Sequence, residues 1–149
     1  MKSFVISLLA IVFLFGIATY AQDKKDAEEM VKKAITYYRS VDKNQALWDF
    51  SNPKGKFKKG SLYVTVYDLN GKCLANGGDL KLVGKDQTDL KDADGKEIIK
   101  ERLSLAKTYG KGWQIYKWKN PLSKEVETKT TYFEKADDVI FACGIYGIH

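Results

Sequence analysis

The chain has 149 residues, a net charge of +6, and 30% charged and 44% hydrophobic side chains. This suits one globular domain and excludes a disordered chain. Its two cysteines are too few for a disulfide-dense scaffold, and its positive charge, carried mainly by lysine, lacks the arginine and interleaved aromatics of a nucleic-acid surface, so no nucleic-acid partner is expected.

Met1-Lys2 is a short positive start, and residues 4–17 form an almost unbroken apolar run. Small residues then stand at Thr19 and Ala21, ahead of Gln22. The run falls short of the roughly 20 residues of a comfortable membrane span, so the pattern predicts a secretory signal peptide over residues 1–21. An uncleaved anchor is the competing reading, because including residues 18–21 stretches the run to about 18 residues. Cleavage leaves residues 22–149 as one domain in the periplasm or outside the cell. In that setting Cys73 and Cys143 can pair, or each can serve as a small hydrophobe in its apolar strand.

Residues 23–41 read as a helix: Ala27, Met30, Val31, Ala34, Ile35 and Tyr38 recur at steps of three and four, with lysines and glutamates on the other face. Asp23 or Asp26 is expected to cap it, and its apolar stripe to lie on the back of a sheet. Residues 44–50 read as a second short helix, and the run Lys54-Gly55-Lys56-Phe57-Lys58-Lys59 as a solvated loop. Residues 61–69 alternate Leu62, Val64, Val66 with Tyr63, Thr65, Tyr67, which predicts a central strand with apolar material on both faces. Asn70-Gly71 marks a tight hairpin into a returning strand over residues 72–76.

Residues 76–91 form a long loop, a length associated with function or a lid. The acids Asp92, Asp94 and Glu101 approach the spacing of an EF-hand loop counted from Leu90, but the first ligand position is then a leucine and the ninth is Ile98. The plainer reading is that Asp92 and Asp94 cap a helix running to Gly110, so no metal and no cofactor is expected.

Residues 112–119 and 126–134 read as a hairpin built around Asn120-Pro121, and residues 139–148 as a final apolar strand. The hairpin sets Trp113, Tyr116, Trp118 and Tyr132 beside one cation, Lys129. These rings can wall a small pocket or be ordinary sheet core. Strand alternation cannot place all five on one face without a bulge, and Trp113 or Tyr132 is the first choice for core. The element order predicts an α+β domain, with the first helix across one sheet face and the long loop and later helix across the other, over a pocket.

This order, with the phrases Leu62-Tyr63-Val64-Thr65-Val66-Tyr67-Asp68, Leu82-Val83-Gly84-Lys85, Asp92-Ala93-Asp94-Gly95-Lys96, Gly112-Trp113-Gln114-Ile115-Tyr116-Lys117-Trp118, Lys129-Thr130-Thr131-Tyr132 and Cys143-Gly144-Ile145-Tyr146, resembles the extracytoplasmic single Cache domain family in its second subtype. The resemblance implies a PAS-like sheet of five antiparallel strands and a pocket for a small organic ligand, often a short carboxylate. Carried to matching positions, it implies that Lys129 pairs with the acid, Tyr116 and Tyr132 donate hydroxyl hydrogen bonds, and Trp113 and Trp118 wall the cavity. Two departures stand out. Relatives are usually receptor or kinase ectodomains with a second membrane helix, whereas no second apolar segment follows here; and Ala75-Asn76-Gly77 stands where many relatives place a His-Pro pair.

The leading expectation is therefore an exported, stand-alone, non-catalytic binding module that presents its ligand to a membrane partner. The alternative is an interaction module that dimerises or docks on a receptor through its first helix, its pocket vestigial. An enzyme is disfavoured: the only histidine is His149, and neither cysteine has an evident base nearby.

Overall fold

The computed structural model describes the backbone of residues 6–147 and the side chains of residues 23–147. The predicted leader lies partly outside the described residues: nothing is described of residues 1–5, and only the backbone of residues 6–22. The elements are α1 (Ile6–Ser40), α2 (Lys43–Ser51), β1 (Lys58–Lys59), β2 (Leu62–Asp68), β3 (Cys73–Asn76), α3 (Ile98–Tyr109), β4 (Lys111–Lys119), β5 (Val126–Ala136) and β6 (Val139–Tyr146), with a 3-10 turn at Leu80–Leu82.

The strands form one antiparallel sheet in the order β1-β2-β6-β5-β4, with β3 also on β2. All five expected strands are present. A sixth, β1, comes from the lysine run read as loop: Lys58 and Lys59 fold back on Tyr63 and Leu62, and Gly60 turns the chain at φ 60°. β6 is the last strand in sequence and a middle one in space, which explains its unbroken burial from Val139 to Ile145.

Strand alternation divides the sheet into two faces. On one, Val64, Val66, Phe141 and Cys143 meet Ala27, Val31, Ala34 and Tyr38 of α1 and Phe50 of α2. Phe141 is the hub, with ring centroids 5.4 Å from Tyr38 and 6.0 Å from Phe50. Because α1 begins at Ile6, Asp23 and Asp26 lie inside the helix and cannot cap it. Asp42 caps α2 instead, its carboxylate accepting the Asn44 and Gln45 N–H groups at 3.0 and 3.1 Å. At the far end of the face, Arg39 holds the β5–β6 turn through Asp137 at 3.1 Å.

The second face is covered by α3 and the loop before it, through Ile98, Ile99, Leu82, Val83 and Leu90. Here the capping expectation fails. α3 starts at Ile98 behind Glu97, whose side chain makes no capping bond. Asp92 accepts the N–H groups of Asp94 and Lys96 with one oxygen and that of Lys117 with the other, all at 2.9 Å. Lys96 Nζ donates to the Ile115 carbonyl at 2.7 Å. The loop thus satisfies part of the outer edge of β4, the end strand of the sheet.

The bond from Lys117, followed by burial in opposition and then by the bonds from Lys96 and Asp94, leaves the Asp92 carboxyl below the ordinary 3.8. A depressed carboxylate stabilises the fold fully above its unfolded pKa and loses that contribution as pH falls through the folded value. Asp92→Ala is therefore expected to cost about 1 kcal/mol at pH 7, low in the range for charged hydrogen bonds because the carboxylate is open to solvent. The cost should shrink in acid, and denaturant titrations at pH 7 and pH 3 check it.

Cys73 and Cys143 are free and buried. They lie in the cores on opposite sides of the sheet, which stands between them. Burial pushes the thiols up, to about 11 for Cys73 and about 12 for Cys143.

Candidate functional site

Between the second face and α3 is a cavity of about 20 Å³. β2 contributes Tyr63, Thr65 and Tyr67, β4 contributes Tyr116 and Trp118, and β5 contributes Lys129. Ile98, Ile99 and Arg102 of α3 close it.

Tyr116 and Lys129 are directly paired across β4 and β5, and Trp118 follows on the same face. Trp113 and Tyr132 are also paired, but the register runs without a bulge and period two turns them to the α1 face. Their rings pack 5.3 Å apart, Lys24 lies 4.3 Å from the Trp113 ring, and Tyr132 donates to Glu134 at 2.7 Å. The structure therefore joins Tyr116, Trp118 and Lys129 at the cavity and sets Trp113 and Tyr132 on the opposite side of the sheet.

Lys129 is 3% exposed. Its ammonium donates to the Tyr63 hydroxyl at 2.7 Å and lies 4.0 Å from the Tyr63 ring centre and 4.9 Å from that of Tyr146. The Tyr63 and Tyr146 hydroxyls are 3.0 Å apart, and Tyr146 donates to the Lys119 carbonyl at 3.1 Å. With the Tyr146 proton so committed, Tyr63 donates to Tyr146. A line of donors thus runs from Lys129 to the end of β4.

Arg102, also 3% exposed, is the second cation. Its Nε donates to Gln114 Oε1 and its Nη2 to the Tyr116 hydroxyl, both at 3.1 Å. The Tyr116 oxygen also accepts from Thr131 at 3.0 Å, which leaves the phenol proton for another acceptor. Glu101 bonds to Gln114 and to Lys96, so it reaches Arg102 only through the glutamine. Among the described residues, none lining the cavity is Asp or Glu, and none of the ion pairs includes Lys129 or Arg102.

Burial opposes ionisation of the Tyr116 phenol, but the Lys129 and Arg102 charges and the bonds from Thr131 and Arg102 outweigh it and hold the phenol below its ordinary 10.0. Burial likewise opposes the Lys129 charge, and attraction to the Tyr63 and Tyr116 phenol oxygens raises it above 10.5. That attraction is full only once a phenol has ionised. At neutral pH the ammonium is therefore held by the Tyr63 hydrogen bond and the ring faces.

Arg102, Tyr63 and Tyr146 are absent from the expected set. Arg102 left a trace: it continues the helical stripe of Ile98, Ile99 and Ala106, a cation on an otherwise apolar face. Tyr63, Thr65 and Tyr67 form the polar alternate of β2, a row of hydroxyls aimed at one side. Asn76, from the position of the relatives' His-Pro pair, also lines the cavity, but its side-chain oxygen accepts the N–H groups of Gly78 and Asp79 at 2.9 Å.

An antiparallel sheet with a long N-terminal helix on one face and a small cationic cavity under a helix and loop on the other defines a PAS-like domain of the small-ligand sensor type. The Single Cache domain 2 family model matches residues 17–146, and the chain belongs to that family, one of ligand-sensing modules. A methyl-accepting chemotaxis protein of Vibrio parahaemolyticus shares the fold at TM-score 0.74 and 22% identity, over 87% of this chain and 91% of that one. A Cache chemosensory domain solved to explain carboxylic acid recognition is 25% identical at TM-score 0.74, over 88% of this chain and 97% of that one. Methyl-accepting chemotaxis protein McpP of Pseudomonas putida is 29% identical over 86 residues, which is 56% of this chain and 16% of that relative's length. Among the described residues, no helix is long and apolar enough to cross a membrane.

Proposed function

We propose that this chain is an exported, stand-alone sensor-type domain that captures a short organic carboxylate without chemical turnover, residues 1–21 being its leader and residues 22–149 its binding domain. The observation that carries this reading is the pair of buried cations, Lys129 and Arg102, in one cavity whose described lining holds no acid. Buried charge is costly without a partner, and an anionic ligand supplies one. Lys129 keeps N–H donors beyond the one given to Tyr63, Arg102 keeps part of its fork, and Tyr116 keeps its proton, so a carboxylate meets three donors. Trp118 walls the site, and Trp113 and Tyr132 take no part. The carboxylic acid bound by the structural relative agrees with this chemistry. A cavity of about 20 Å³ has room for about one water, so a carboxylate enters only as α3 and the loop before it move outward, a cost that favours acids of few carbons.

The test is the thermal midpoint of the purified protein with acetate, propionate, amino acids or alkylamines. A ligand held only by the folded state adds about 2.7 kcal/mol of stability at one hundred times its Kd. Short carboxylates are expected to raise the midpoint and amines to leave it unchanged; no shift with any carboxylate would overturn the proposal. Affinity should also fall as pH rises below 10.0, since an ionised Tyr116 repels the anion and has lost its donor. The limiting slope is about tenfold per pH unit, and Tyr116→Phe should flatten it.

A groove of about 860 Å³ along α1 favours a second reading, in which this face docks a second copy of the chain. Its apolar floor holds Met30, Tyr37, Phe57 and Leu62, with Asp26 and Glu29 ahead of Lys32 and Lys33 along the helix, a polarity that an antiparallel copy complements. Light scattering showing a monomer at every concentration would exclude it.

A further inference from the structure

Lys129 belongs to β5, yet its ammonium reaches the Tyr63 hydroxyl on β2, with β6 lying between. At the crossing stands Gly144, paired with Thr131 of β5 and next to Cys143, which pairs with Val64 of β2. A methyl group at Gly144 would collide with Thr131 Oγ1, lie 2.6 Å from Lys129 Cε and 3.0 Å from the Thr130 carbonyl oxygen. The backbone itself does not demand glycine here, since Gly144 is not among the glycines with positive φ. What the position requires is empty space. The far end of the path is fixed as tightly: a methyl at Gly78 would overlap the Tyr63 ring, so the loop after β3 lies flat against the phenol that receives the ammonium.

We infer that Gly144 is a positioning residue of the ligand site: its missing side chain is the channel along which Lys129 crosses β6 to bring its ammonium to Tyr63 and the cavity. This rests on the carboxylate reading for its functional meaning, but its geometry is independent of it. A residue with a side chain at position 144 would turn the ammonium away and leave Arg102 as the only cation of the cavity lining.

The test is a cycle of full-chain proteins, wild type, Gly144→Ala, Lys129→Ala and the double variant, with thermal midpoints and with acetate and propionate affinities by calorimetry. Gly144→Ala is expected to weaken carboxylate binding roughly tenfold or more with an unchanged circular dichroism spectrum. The double variant should bind no worse than Lys129→Ala, because without the ammonium Gly144 has nothing to position. The midpoint lost to alanine at 144 should shrink in the Lys129→Ala background, where the stem is gone. Affinity of Gly144→Ala within about twofold of wild type would overturn the inference, as would a midpoint loss undiminished in the double variant. If Gly144→Ala does not fold, a folded double variant still supports the inference and an unfolded one overturns it. If the wild type binds neither acid, the carboxylate reading fails, and the coupling between the midpoints decides the role of Gly144 alone.

Discussion

Lys129→Met weakens carboxylate binding by about 2–5 kcal/mol while leaving the empty domain as stable as the wild type or more so: this is the expected result at the cavity. The two halves have separate causes. In the proposed complex, the ammonium is one partner of a desolvated pair, and its loss leaves the carboxylate facing Arg102 and Tyr116 alone. In the empty protein, the ammonium is 3% exposed, with a phenol and two ring faces in place of an acid. Methionine fills a similar volume without the cost of desolvation; replacing whole buried ion pairs by apolar side chains is often neutral or stabilising by about 1–4 kcal/mol, and here no acid is left unpaired by the change. Calorimetric titration with acetate and urea unfolding of both proteins separate the effects. Binding within about twofold of wild type would remove Lys129 from the site, and a large loss of stability would make it a structural lysine, with the twofold margin taken as about the error of additivity.

Phe141→Ala is expected to do the reverse. Phe141 is fully buried where α1, α2 and the middle of the sheet converge, against Tyr38 and Phe50. Truncating such a ring costs about 3–5 kcal/mol, a large part of the roughly 5–15 kcal/mol that holds a domain folded. Because its side chain points away from the cavity, the molecules that remain folded should bind acetate as the wild type does. Saturating ligand should return part of the lost midpoint. Urea unfolding with and without ligand measures both. A folded variant that no longer binds would show that the two faces are not separable.

The division between the faces was largely legible in the amino-acid pattern. Period-two alternation and the placement of strands follow from local composition, and they bring Lys129, Tyr116 and Trp118 together. The same alternation left Trp113 and Tyr132 undecided, because a single bulge would have turned either of them to the cavity, and only the observed register shows that there is none. The partner of Lys129 was hidden for a different reason. Tyr63 and Lys129 meet only because β6 enters between β2 and β5, an order of strands that local periodicity does not contain. Asp92 misled in the same way: an acid ahead of a helix reads as a cap, yet one of its oxygens is taken by Lys117, on a strand laid down after that helix. Arg102 was readable from helical spacing, but an arginine is usually found at the surface, and its burial depends on Gln114 and Tyr116 from β4.

The central place of β6 also bears on how the chain acquires its shape. β2 finds its inner neighbour only when Val64 meets Cys143, so the hairpin of β2 and β3 and the hairpin of β4 and β5 stay two separate pieces until the last strand arrives between them. Pairings so distant along the chain make folding slow relative to the helices, which form from near neighbours. During synthesis the N-terminal half has only the small β1–β2–β3 ladder to close upon, and the domain is completed only after nearly all of it has emerged. If residues 1–21 act as the proposed leader, a polypeptide built this way remains unfolded for longest at the stage when a secretory channel needs it so.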